Sequence, residues 1–130
     1  MKGNRDAVEW RLYLSRERGT CLAFHVRDGN LRQSGGSGTC EQKPPLDVSL
    51  FRNVSGRFAY GVVTAEAVEI HLEHTDGAKD VLRAESTPDF EGRFYAGEVR
   101  PTPFKRVVAL GARGEVVANY RDVSRLNTTG

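Results

Sequence analysis

The sequence holds no apolar run close to the roughly 18 residues that a membrane-spanning helix needs. Its first residues, Met1-Lys-Gly-Asn-Arg-Asp6, contain none of the apolar core of a secretory leader, an absence that an excised fragment would also show. Charge of one sign is missing too: 19 basic and 17 acidic residues are interspersed and leave a net charge of +2. Such a mixture projects no long-range field. Binding to nucleic acid calls for a basic stripe with interleaved aromatics. The nearest approach, Arg11, Arg16 and Arg18, is interrupted by Glu9 and Glu17, so no nucleic-acid partner is expected. No long segment repeats apolar residues every three to four positions, and helix content should be low.

Cysteine is scarce: only Cys21 and Cys40 are present. Without a CxxC pair or a histidine at ligand spacing, they do not make a zinc site. Cys21 opens a strand-like segment and Cys40 closes a Gly-rich stretch. That placement favours a disulfide, which would add about 3 kcal/mol in the chain-entropy model and would point to an oxidising compartment. The alternative is two buried thiols acting as small hydrophobes.

What is present is strand and turn. Apolar residues make up 38% and charged residues 28% of 130, a balance suited to one soluble domain with a core. The organising stretch is Phe58 to Ala84. There Val68, Ile70 and Leu72 alternate with Glu69, His71 and Glu73, the period of two that marks a strand with one dry face. Asp76-Gly77 supplies a turn, and Val81 to Ala84 returns the chain as a central hairpin. The dry face should meet Trp10, Phe58 or Tyr60, and Val107 or Ala109 in one inter-sheet core.

Around this hairpin the same pattern recurs. Val8 to Leu14 alternates, with Trp10 as a core anchor; Arg16 to Gly19 should turn. Cys21 to Val26 is a second strand, ended by Asp28-Gly29-Asn30. Gln33 to Thr39, Q-S-G-G-S-G-T, reads as a hairpin tip; it lacks the Lys and strand–helix setting of a phosphate loop. Asp47 to Arg52 and Phe58 to Val63 are further strands, joined by a turn at Asn53 to Gly56. Gly61 marks a bulge or a close neighbour. After a break at Thr87-Pro88-Asp89, strands follow at Gly92 to Val99, Phe104 to Leu110 and Glu115 to Tyr120. The expected fold is all-β: an antiparallel two-sheet β-sandwich, immunoglobulin-like, with about eight or nine strands. It is read as a single domain over residues 1–130, with a core at about 8–121 and flexible tails at 1–6 and 123–130.

Chemistry-bearing residues are thinly spread. Glu69, His71 and Glu73 share one strand face, with His74 on the other, and could hold a divalent metal; a solvated outer face is the expectation. His25 reads as a histidine in an apolar wall. Ser34, Ser37, Ser49, Ser55, Ser86 and Ser124 include no nucleophile elbow. Glu85, Asp89 and Glu91 gather near Pro88 as acids on a loop, a carboxylate pair being the sharper alternative. Asn53 and Asn127 open glycosylation-type tripeptides, to which no role is given. No catalytic residue, cofactor or metal is expected.

Trp10-x-Leu12, Cys21-Leu22 and the Gly-rich stretch to Cys40 form the first part of a longer pattern. It continues through Phe58-x-Tyr60-Gly61-Val62-Val63, the alternation from Ala67, and Asp76-Gly77. Arg93-Phe94-Tyr95, Val107 to Leu110 and Gly114 to Val117 complete it. Over roughly Val8 to Tyr120 this resembles an immunoglobulin-like β-sandwich domain of exported or membrane-anchored proteins of high-GC Gram-positive (actinobacterial) organisms. The resemblance implies an extracytoplasmic location and a paired Cys21–Cys40, and no site residues. The expected function is a non-enzymatic binding domain, a module of a larger protein, with a protein or cell-envelope ligand as partner. The alternative is a small secreted hydrolase whose site assembles only in three dimensions.

Overall fold

The structure, a computed structural model, describes residues 1–15, 21–88 and 90–128. The turn expected at Arg16 to Gly19 and the carboxylate of Asp89 lie outside the described residues. In chain order the strands are β1 (Lys2–Arg5), β2 (Val8–Ser15), β3 (Cys21–Asp28), β4 (Gln33–Thr39), β5 (Ser49–Asn53) and β6 (Gly56–Val63). There follow β7 (Ala67–His74), β8 (Lys79–Arg83), β9 (Arg93–Val99), β10 (Phe104–Gly111) and β11 (Val116–Asn119), then a helix α1 (Val123–Thr128). All pairings between strands are antiparallel. The all-β, sandwich-like expectation is met, with eleven strands in three hydrogen-bonded sheets among the described residues in place of eight or nine strands in two.

The sheet orders explain the difference. A first sheet runs β1-β2-β3-β4, a second β5-β6-β9 and a third β11-β10-β7-β8. The second sheet is the middle layer. Successive side chains of a strand point to opposite faces, and β6 buries both of its faces. Phe58, Tyr60 and Val62 enter one core with Leu12, Leu22, Phe24 and Val26 of the first sheet. Ala59 and Val63 enter the other with Ile70, Leu72, Val107 and Ala109 of the third. Trp10, Phe58 and Tyr60 therefore never meet Ile70; the single core expected from the sequence is two cores on either side of β6 and β9. Each fully buried aromatic of this kind contributes roughly 1.5–3 kcal/mol. Phe24 stacks on Tyr60 at 5.1 Å between centroids.

Gly61 is needed where the middle strand passes the segment before β5. A Cβ built there would lie 2.1 Å from the Asp47 carbonyl oxygen. Tyr95 closes the same spot by donating its hydroxyl to that carbonyl at 2.7 Å, and burial pushes its phenol well above the ordinary range.

Three expectations about the ends and the Gly-rich stretch are corrected. Residues 1–6 are not a loose tail: β1 pairs with β2, and Gly3, opposite Trp10, leaves space for the indole. Gln33 to Thr39 is not a hairpin tip but a strand, paired along its length with Leu22 to Asp28. It has no hydrophobic alternation because Phe51, on β5, lies over Gly35 and supplies the apolar cover itself. Residues 123–128 are helical, with Leu126 3% exposed in the third-sheet core. The Asn127 side chain bonds both the amide and the carbonyl of Phe104, at 2.8 and 2.9 Å. Cys21 and Cys40 form a disulfide linking the start of β3 to the end of β4. No helix among the described residues is long and apolar enough to cross a membrane.

Candidate functional site

The turn between β5 and β6 builds the site. The Asn53 side chain accepts from the Ser55 amide at 2.8 Å, an Asx turn that closes the hairpin. The register then sets Arg52 directly opposite Arg57. Opposed residues point to the same side, and Arg57 shares the phase of Ala59, toward the third sheet. Two like charges in that position repel.

Arg57 is only 7% exposed. Its Nη1 donates to the Thr102 carbonyl at 3.1 Å, and its guanidinium carbon lies 4.2 Å from the Phe104 ring centroid. The remaining nitrogens, Nε and Nη2, are buried and have no hydrogen-bond partner among the described residues. Burial lowers its pKa first, repulsion by Arg52 adds to that, and Asp80 partly offsets both.

Arg57 lines a cleft of about 460 Å³ that also touches Arg5, Arg52, Asp80, Glu98 and Arg100. Both carboxylates are already engaged. Glu98 pairs with Arg5 at 2.6 Å. Asp80 accepts from His74 Nε2 at 2.6 Å and from the Arg100 amide at 3.0 Å, with Arg100 Nε 3.5 Å from its other oxygen. Four guanidiniums against two carboxylates leave two positive charges in excess. The Arg52 side chain makes no hydrogen bond or ion pair among the described residues. The far wall is tied down by Arg5 Nη2, which donates to the Ser55 carbonyl at 3.0 Å, and by the Ser55 hydroxyl, which donates to buried Asp28 at 2.9 Å.

Behind the cleft lies a polar chain. Thr102 Oγ1 is 2.8 Å from His74 Nδ1, and His74 Nε2 meets Asp80. The imidazole has no exposed side-chain surface and packs on Phe104 at 5.0 Å between centroids. A hydroxyl, an imidazole and a carboxylate in series have the makings of a nucleophile relay. Here the three instead pin the 100–104 segment that carries Arg100 and backs Arg57.

The residues marked in the sequence fare unevenly. His74 does face away from Glu69, His71 and Glu73, into the third-sheet core. On the outer face His71 Nε2 lies 3.4 Å from Glu69, while Glu73 accepts from Arg106 at 2.9 Å. The described residues hold no group of three or more side chains arranged to take a metal. His25 is exposed, correcting the apolar-wall reading: β3 alternates, and its apolar phase falls on Leu22, Phe24 and Val26. His25 instead lines a shallow trough of about 410 Å³ on the outer face of the first sheet, with Glu9, Arg11, Arg27 and Ser34. No serine hydroxyl is hydrogen-bonded to a histidine among the described residues; Ser37 meets Tyr60, Ser49 meets Gln42 and Ser55 meets Asp28. Glu85 and Glu91 are exposed.

Arg57, Asp80, Arg100 and Thr102 went unmarked. One signal was available for Arg57: it takes the inward phase of Ala59 and Val63, where a charge is out of place. Across the whole chain, neither a family model nor a curated protein nor a solved structure matches this sequence.

Proposed function

We propose that this chain is a non-enzymatic binding domain working outside the cytoplasm, a module of a larger secreted or membrane-anchored protein, with an anionic cell-envelope ligand. One observation carries the reading: a buried arginine with two uncommitted donors stands beside a cleft with excess positive charge. Folded proteins seldom leave such a cation without a counter-charge, and an anionic ligand supplies one. The Cys21–Cys40 bond supports the location, since such bonds persist in oxidising compartments. The resemblance to immunoglobulin-like domains of exported actinobacterial proteins supports it further.

The hydrolase reading has one observation in its favour, the Thr102–His74–Asp80 chain. Against it, the His74 side chain has no exposed surface, and Thr102 is not among the residues that line the cleft.

The test is co-sedimentation of the oxidised protein with purified anionic cell-wall polymer at rising salt. Binding that weakens as salt screens the charges supports the module. Release of soluble fragments from the polymer would favour the hydrolase. Absence of binding at low salt would overturn the envelope-ligand reading.

A further inference from the structure

We propose that the cleft is a site for a phosphate group, held by Arg57 through its Nε–Nη2 edge and by Arg52 beside it. The proposal rests on the binding-domain reading and names the chemistry of the ligand.

The donor set comes first. Nε and Nη2 carry parallel N–H bonds, the edge with which arginine grips two oxygens of one oxyanion. Those are the two nitrogens of Arg57 left without a partner among the described residues, while Nη1 is occupied by Thr102. Both are covered in this structure, so the head reaches the cleft by rotation of its side chain. That rotation gives up the Thr102 hydrogen bond and the contact with the Phe104 ring.

The charge pattern comes second. Arg52 opposes Arg57 in the hairpin, and its side chain has neither hydrogen bond nor ion pair among the described residues. Asp80 and Glu98 are already engaged; Asp80 offsets only part of the strain on Arg57, and among the described residues neither carboxylate forms an ion pair with these two arginines. A carboxylate brings two oxygens and one negative charge, which a single guanidinium satisfies. A terminal phosphate brings a third oxygen and a second charge, matching the excess of two. The turn at Asn53 to Gly56 and the engaged Arg5 line this cleft of about 460 Å³. The phosphate arrives either free or as a monoester on an organic carrier.

Isothermal titration of the oxidised protein with inorganic phosphate, glycerol 3-phosphate, dimethyl phosphate and acetate tests the assignment. The variants are Arg57→Met, Arg57→Lys and Arg52→Ala; the last changes an exposed side chain and leaves the core intact. The expected result is binding of phosphate or of its monoester at least about tenfold tighter than acetate or the diester, on the scale of one charge-assisted hydrogen bond. Arg57→Met should abolish it. Arg57→Lys, which keeps the charge but loses the fork, should weaken it by about tenfold or more, and Arg52→Ala by several-fold. Stronger binding of glycerol 3-phosphate than of inorganic phosphate identifies a carried monoester; the reverse identifies free phosphate. Acetate equal to phosphate would overturn the phosphate assignment and leave the anion-binding cleft standing. Phosphate binding untouched by all three variants would place the anion elsewhere and overturn the site. No binding of any anion, with polymer co-sedimentation intact, would overturn the site and spare the binding-domain reading.

Discussion

The guanidinium carbon of Arg57 lies 4.2 Å from the centroid of the Phe104 ring. A cation over an aromatic face gains roughly 2 kcal/mol when desolvated. That gain and one hydrogen bond to Thr102 are the local compensation for a buried charge. Neither is a counter-charge, which frames the first prediction.

Arg57→Met should leave stability within about 1 kcal/mol of the parent, or raise it, because apolar replacement of a poorly compensated buried ion is often neutral or favourable. Urea unfolding in a buffer free of multivalent anions measures this. A loss above about 3 kcal/mol would show that the Thr102 and Phe104 contacts hold the fold rather than a ligand site.

The central hairpin sets up a second contrast. Ile70 is fully buried in the third-sheet core, whereas the neighbouring Glu69 side chain is 44% exposed. Ile70→Ala should cost about 2–5 kcal/mol, and Glu69→Ala well under about 1 kcal/mol. Equal losses in urea denaturation would mean a register slipped by one residue, which exchanges the two faces.

Gly61 yields a third. The group that an added methyl would meet there, the Asp47 carbonyl, is backbone and has little freedom to retreat. Gly61→Ala should cost about 3 kcal/mol, near the upper end for overpacking. Gly77→Ala places its methyl in open space, and only the φ of 89° opposes it, at roughly 1 kcal/mol. Thermal unfolding of the two variants separates them; a milder effect at Gly61 would mean that the Asp47 segment is free to move.

Asp28 sets the acid limit of the site wall. The Ser55 hydroxyl holds its carboxyl below the ordinary range, helped by the Leu31 and Asn30 amides and opposed by burial. A lowered folded pKa adds stability that is present above the unfolded value, about 3.9, and is lost as pH falls through the folded value. Ser55→Ala removes the main cause. The gap in urea midpoint between parent and variant should therefore narrow as pH drops from 7 toward 2. A gap that stays constant would show that the Ser55 hydroxyl acts independently of Asp28 ionisation.

The strands were legible wherever one face of the sheet is wet. In β2, β3 and β7 polar and apolar residues alternate, so period and register could be read directly. The layering was not legible, because β6 is buried on both faces and a continuous apolar run does not say which residue faces which neighbour. The Gly-rich β4 was missed for the opposite reason, having no apolar residue to alternate. At the site, His74 was marked on its own strand. Its partners Asp80 and Thr102 come from the next strand and from a loop 28 residues away, a distance over which local pattern carries no information. The arginine pair was within reach: the Asn53 to Gly56 turn is plain in the sequence, and a two-strand register counted back from it opposes Arg52 to Arg57.

The middle sheet also orders the molecule in time. The first sheet is drawn wholly from residues 2–39, one unbroken segment, while the second and third interleave along the rest of the chain. An excursion that lifts the first sheet away breaks one apolar interface and leaves the other two sheets joined. Cooperative units of this kind open at separate free energies. Backbone amides of β2 and β3 should thus exchange with deuterium as a set, ahead of those of β6 and β9. The Cys21–Cys40 link lies wholly inside the departing unit, at the end of its outer hairpin, and would keep that unit folded back on itself through each opening.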